Sequence, residues 1–200
     1  MKKIILIDRN ADLVHHWAIL FQSTPSVEVH TGSIFDYEVD ALVSPANSFG
    51  FMDGGIDYAL SEVLGWELQR RLQKQIADLP EKELLVGRSL TLTTGHPKWP
   101  YLISAPTMRV PMVLGANSTN VYLAAKAVFN ELKYHPTISS IAMSGMGTGV
   151  GKVPYDICAH QMRAAYDAVF VGKPYPTSWH DAQTRHQALY KATPRDLQKG

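Results

Sequence analysis

The chain has 200 residues, 46% apolar and 18% charged, with a formal charge of +1, enough for one domain with a core of its own. The near-neutral balance excludes the strongly basic face that duplex nucleic acid requires, and no run approaches the ~18 apolar residues of a membrane helix. Cys158 is the single cysteine, which excludes an intrachain disulfide or a thiolate metal cluster.

Residues 4–7 are continuously apolar, as in a strand covered on both faces. Only four apolar residues follow Met1-Lys2-Lys3 before Asp8-Arg9-Asn10, too few for a signal-peptide core, so a cytoplasmic protein is expected. Asn10 or Asp12 caps a helix with Leu13, Trp17, Leu20 and Phe21 on one side, stopped at Ser23-Thr24-Pro25-Ser26. Residues 27–30 and 41–43 read as strands. Residues 56–75 read as one helix, with Ala59, Leu60, Val63, Leu64, Leu68, Leu72 and Ile76 at helical spacing. Strands at 89–93 and 101–104 follow, then an irregular loop between Pro106 and Pro111.

Thr119 or Asn120 opens a helix to Leu132, ended by His135-Pro136, and residues 138–143 form a strand. Pro154 opens a helix to about Val171. This alternation predicts an α/β fold: a three-layer α/β/α sandwich with a central mixed sheet over residues 1–172. A polar tail over residues 173–200 follows, with a further helix expected at 181–191. Trp179 and Tyr190 would anchor it to the domain; covering a ligand or forming an oligomer is the other reading.

Chemistry concentrates in two loops. The apolar strand ending at Val43 leads through Ser44-Pro45-Ala46 to Asn47, then through a glycine-rich loop to Asp57 at the start of a helix. Asparagine offers a donor and an acceptor, suited to ribose hydroxyls. Gly54 and Gly55 let backbone approach a ligand closely. Asp57 is also what a helix dipole alone would favour, and Asp53 reads equally as a loop or capping residue. The second loop, Gly145-Met146-Gly147-Thr148-Gly149-Val150-Gly151, also joins an apolar strand to a helix. Two such turns at one sheet edge describe a cleft for a diphosphate held by backbone N–H groups.

Other motifs fall away. The spacing of Gly145, Gly147 and Gly149 lacks the third glycine of a dinucleotide fingerprint, and Val153 stands where a P-loop needs a hydroxyl. Ser144 lacks a nucleophile-elbow context. His15-His16 face different ways on a helix, Cys158 reads as a small core residue, and Arg109 as a surface residue within reach of a phosphate.

At Ser44-Pro45-Ala46-Asn47, Asp53-Gly54-Gly55-Ile56 and Gly147-Thr148-Gly149-Val150-Gly151-Lys152-Val153-Pro154 the chain resembles the macro domain family, over about residues 31–171. The resemblance implies ADP-ribose binding without cofactor or metal. Its pocket would include Ser33, Ile34, Ala46, Asn47, Gly54, Gly55, Ile56, Gly147, Thr148, Gly149, Val150 and Gly151. The ten-residue separation of Asn47 and Asp57 is similar to that of the MacroD-type hydrolases, which implies catalytic roles for both. Three positions depart from the pattern. Ser33 stands in place of an adenine-binding aspartate, with Asp36 the carboxylate nearest to compensate. Gly151 replaces an aromatic residue, leaving Phe49 or Phe51 to supply an apolar wall, and Ser61 replaces a histidine. The implied activity is hydrolysis of an ADP-ribosyl ester or phosphate; the alternative is a non-catalytic ADP-ribose reader. Membrane partners are not expected.

Overall fold

The structure, a computed structural model, describes residues 2–190. In chain order the elements are β1 (Lys3–Asp8), α1 (Ala11–Phe21), β2 (Val27–Thr31), a 3-10 turn (Ile34–Asp36), β3 (Ala41–Ser44), α2 (Gly55–Leu64) and α3 (Glu67–Asp78). There follow β4 (Leu90–Thr93), β5 (Tyr101–Ser104), α4 (Asn120–Tyr134), β6 (Ser140–Met143), α5 (Tyr155–Tyr166), a π-helical segment (Asp167–Gly172) and α6 (Trp179–Gln187). The strands make one sheet in the order β2-β1-β6-β3-β5-β4, parallel except for β4, which runs antiparallel to β5. This is the expected three-layer sandwich with a mixed sheet. Among the described residues no helix is long and apolar enough to cross a membrane.

Strand alternation builds the two apolar layers. Ile4, Leu6, Ala41, Val43, Ile103, Ile141 and Met143 face α1, α4 and α5, where Leu13, Trp17, Phe129 and Met162 fill the core. Ile5, Ile7, Leu42, Leu102 and Ala142 face α2 and α3, against Leu60, Leu68, Leu72 and Ile76. Sheet centre strands covered on both sides must be continuously apolar, which is why residues 4–7 carry no alternation.

The helix expected over 56–75 is two helices. Gly65, at φ +91°, ends α2 with its N–H on the Ser61 carbonyl, and α3 starts after Trp66. The turn brings Leu68, Leu72 and Ile76 onto the sheet and leaves Val63 exposed, although Val63 has core spacing on a straight helix. A positive φ is the region that glycine enters without penalty. The strand expected from 138 begins at Ser140. The helix expected to about Val171 ends at Tyr166 and continues as a π-helical segment, with Arg163 paired to Asp167. At α4, Thr119 takes the N-cap position without a side-chain bond, and the Asn120 amide instead donates to the Thr107 carbonyl.

The tail helix starts at Trp179, because Ser178 caps it by accepting from the Asp181 N–H. Its end docks on α5, where His160 donates to the Ala188 carbonyl and Gln161 to that of Leu189. The helix ends at Gln187, short of the expected residue 191, and residues 191–200, the last of the tail, lie outside the described residues.

Asp40 fixes the start of β3 against β6. Its Oδ2 accepts from the N–H groups of Ser139 and Ser140 and from the Ser140 hydroxyl, at 2.8, 2.9 and 3.0 Å. Asp40→Ala leaves these donors unpaired and is expected to cost about 1–3 kcal/mol in urea unfolding.

Candidate functional site

The carboxyl ends of the five parallel strands point to one edge, and the loops that leave them enclose a cavity of about 440 Å³. Ligand sites of open α/β sheets sit at such edges, and the volume is typical of small-molecule pockets. Asp8 and Arg9 come from β1, Gly32 to Phe35 follow β2, Pro45 to Asn47 follow β3, Thr107 and Met108 follow β5, and Ser144 and Gly145 follow β6. The pocket residues that the resemblance implies line this cavity, as does Asp57: Ser33, Ile34, Ala46, Asn47, Gly54, Gly55, Ile56, Gly147, Thr148, Gly149, Val150 and Gly151; Asp36, Phe49, Ser61 and Arg109 are not in the lining.

The two glycine turns face each other across it with unused donors. The N–H groups of Gly55 and Ile56, at the start of α2, reach no acceptor among the described residues. Nor do those of Thr148, Gly149, Val150 and Gly151. The first turn of any helix has such orphan donors, and concentrated here they favour an anion. Gly149 and Gly54 would carry a Cβ into open space, with no protein atom within 4 Å. Gly151 differs: a Cβ there would collide with the Gly147 carbonyl, so its smallness serves the loop's own packing. That loop is closed by Val153 N–H to the Gly147 carbonyl and by Leu114 N–H to the Gly151 carbonyl.

Asn47 is engaged within its own loop. Its amide nitrogen donates to the Phe51 carbonyl at 2.8 Å, and its oxygen accepts from the N–H groups of Phe49 and Phe51. Ser33 caps the 3-10 turn, and the Asp36 carboxylate turns back to accept from the Ser33 N–H at 2.7 Å. Phe51 lines the cavity. Phe49 does not; it lies under the Arg109 guanidinium, 5.0 Å from its ring centre. Arg109 in turn is held by both oxygens of Glu83, at 2.6 and 2.8 Å. Ser61 is buried and donates to the Met52 carbonyl.

Asp57 is the unusual group. It lies on the buried side of α2, where the Ser44 hydroxyl donates to its Oδ1 at 2.5 Å. Its Oδ2 has no protein hydrogen bond among the described residues. Burial pushes its pKa up from 3.8 to about 7; the Ser44 bond opposes this rise and the charge of Asp53 adds to it. Cys158 is buried behind the loop with its pKa pushed up to about 12 by burial, which rules out a ready thiolate. Among the described residues no three His, Cys, Asp or Glu side chains are grouped to hold a metal ion.

Sequence reasoning missed Asp8, Arg9, Thr107, Met108, Pro111 and the anchoring role of Ser44. Asp8 joins two strand ends, its carboxylate accepting from the N–H groups of Asn10 and Gly145. The available signal was positional, since each of Asp8, Ser44 and Ser104 closes a strand whose end reaches this edge.

The sequence model of the Macro domain family matches residues 43–162. The chain belongs to the macro domain family. A protein of Aquifex aeolicus is 35% identical over 136 residues, which cover 68% of this chain and 78% of that protein. The chain spans only 36% of the longer mycobacterial relatives it also matches. Among solved macro domains, a variant of the Oceanobacillus iheyensis macrodomain with ADPR is 18% identical, with a TM-score of 0.60, covering 78% of this chain and 87% of that one. Thermosipho africanus DarTG, in complex with ADP-ribose, is 16% identical with a TM-score of 0.56, covering 80% of this chain and 44% of that one.

The buried carboxylate of this macro domain makes stability depend on pH. The folded protein keeps a proton on Asp57 that the unfolded chain loses above about pH 4, so stability falls as pH rises from about 4 to about 7 and then levels, by up to about 4 kcal/mol. Asp57→Asn removes this dependence. The melting temperature of the variant relative to the parent should therefore rise across that window and flatten above pH 7.

Proposed function

We propose that this macro domain binds ADP-ribose or a derivative and hydrolyses the bond between the distal ribose and an acceptor. One observation carries the reading: two glycine turns with unused N–H groups face one cavity that also holds a buried carboxylate of raised pKa. Relatives of the same fold solved with ADP-ribose support the choice of ligand. The N–H groups of residues 148–151 and of Gly55 and Ile56 hold the diphosphate. Asn47 acts by shaping its loop around the distal ribose, given how its amide is engaged.

Asp57, anchored by Ser44, presents Oδ2 to a water beside the anomeric carbon. As the water oxygen bonds to that carbon, its proton passes to Asp57. The carbon–acceptor bond breaks with its electron pair on the acceptor oxygen, and Asp57 returns the proton to solvent. A base of pKa about 7 is half ionised at neutral pH and still strong enough to take the proton. The second reading, a reader that binds without turnover, draws on the departures at Ser33 and Ser61, whose hydroxyls are engaged in local structure.

Asp57→Asn is expected to lower turnover of an ADP-ribosyl ester about 10²–10⁴-fold while calorimetry still detects ADP-ribose binding. The parent's rate should climb through about pH 7 on its acid side. Binding by a parent with no turnover of any ADP-ribosyl ester or phosphate would establish the reader instead. Gly149→Val places a branched side chain where the diphosphate lies, and should abolish ADP-ribose binding with little change in melting temperature. Undiminished affinity would remove that loop from the site.

A further inference from the structure

We propose that the acceptor end of the cavity selects an ADP-ribosyl group whose leaving group is uncharged while bound, and that Asp53 sets this preference against a phosphate. The inference rests on the proposed binding of ADP-ribose and narrows it to one substrate class. Its basis is the distribution of charge around the cavity.

Four charged side chains line it: Asp8, Arg9, Asp53 and Asp57. The Asp8 carboxylate is held by the N–H groups of Asn10 and Gly145. Arg9, the one Lys or Arg among the described lining residues, follows β1. The tip of β1 lies two strand spacings from that of β3 because β6 runs between them, a separation of about 10 Å. The other cation near this end, Arg109, is bidentate to Glu83 and stacked over Phe49, and does not line the cavity. The free N–H groups are backbone donors already assigned to the diphosphate.

The side-chain charge that remains around the acceptor is that of two carboxylates, set among apolar and uncharged polar side chains. Asp53 is exposed on the cavity wall, four residues before Asp57, and makes no hydrogen bond or ion pair among the described residues. Its charge reaches Asp57, whose pKa it helps to raise. Phe51 and Val150, 52% and 58% exposed, come from the two glycine loops, and Pro111 also lines the cavity. An acyl group placed there meets apolar side chains. A phosphate on the distal ribose places up to two negative charges beside Asp53, while the one Lys or Arg among the described lining residues, Arg9, stems from a strand two spacings away; low salt strengthens the repulsion.

The test compares dissociation constants for ADP-ribose and for ADP-ribose carrying a phosphate on its anomeric carbon, by competition at low and high salt. Ligand integrity is checked by chromatography after each titration. The phosphate-bearing ligand should bind the parent at least about tenfold more weakly than ADP-ribose in low salt, and less so in high salt. Asp53→Asn should bring the ratio down at least about threefold and remove most of its salt dependence, and Asp53→Lys should lower the ratio further. For turnover, the ratio of kcat/KM for an acetyl ester over the phosphate should move in the same order. A parent that binds the phosphate as tightly as ADP-ribose, or a ratio that does not change across Asp, Asn and Lys, would overturn the assignment while leaving ADP-ribose binding intact. Failure of both ligands to bind would instead overturn the ADP-ribose reading itself, and the selectivity with it.

Discussion

The placement of β6 between β1 and β3 is the constraint on which the site depends. β6 pairs with β1 over four positions, from Lys3 with Ser140 to Leu6 with Met143. Against β3 it pairs over two, Ala41 with Ile141 and Leu42 with Ala142, while β3 continues on its other side against β5 to Ser44. The sheet therefore parts between β3 and β6 just where both strands end. Loops more than ninety positions apart in the chain meet across that gap, one reaching α2 and the other α5. The crevice is a product of strand order, and Gly54 and Gly149 keep it open, since a Cβ at either would point into the cavity away from every described protein atom.

The buried carboxylate is the cost of this arrangement. On the face of the sheet toward α2 the layer is otherwise apolar, with Leu42, Leu102, Leu60 and Leu72. Ser44 shares that face by strand alternation and supplies a hydroxyl to Asp57, and its sheet neighbour Ser104 has a buried hydroxyl with no partner among the described residues. One hydrogen bond does not offset the desolvation of a charge, so burial dominates and the pKa rises. An apolar side chain at position 57 would pack without that penalty. In the proposed reading that cost is accepted because the carboxylate faces the cavity and serves the chemistry there.

Much of this was legible because the signals are local. Four successive apolar residues, an asparagine ahead of a helix and a proline at a first turn each specify one element through backbone chemistry alone. The two glycine loops were legible for the same reason, since strand–glycine–helix junctions have few structural meanings. The break at Gly65 was not, because Val63 and Leu64 continue the helical spacing through it, and only the docking of α3 on the sheet decides which apolar residues are buried. Arg9 carries no motif, and the motif that contains Ser44 does not reveal its bond to Asp57; both placements follow from which strands are neighbours, a tertiary fact. Phe49 and Phe51 could not be separated by pattern, since both flank Gly50. The cation–π contact with Arg109 draws one away from the cavity.

Asn47 lines the cavity and also braces the loop that carries it. By closing hydrogen bonds to Phe49 and Phe51 it fixes the conformation of the five residues 47–51, and Gly50, at φ +68° against Leu72 and Ile76, packs that loop onto α3. The loop is then stiff where it delivers Phe51, and Asp53 follows two residues later. Across the gap the second loop is closed by its own hydrogen bonds, and its N–H groups at residues 148–151 reach no acceptor among the described residues. In the proposed reading the two loops therefore divide the ligand. Backbone N–H groups, which no substitution other than proline removes, hold the diphosphate common to every ADP-ribosyl compound. Side chains on a preorganised loop face the acceptor, the one part that differs between such compounds. A macro domain built this way changes its substrate at Phe51 and Asp53 without disturbing the strand ends that make the crevice.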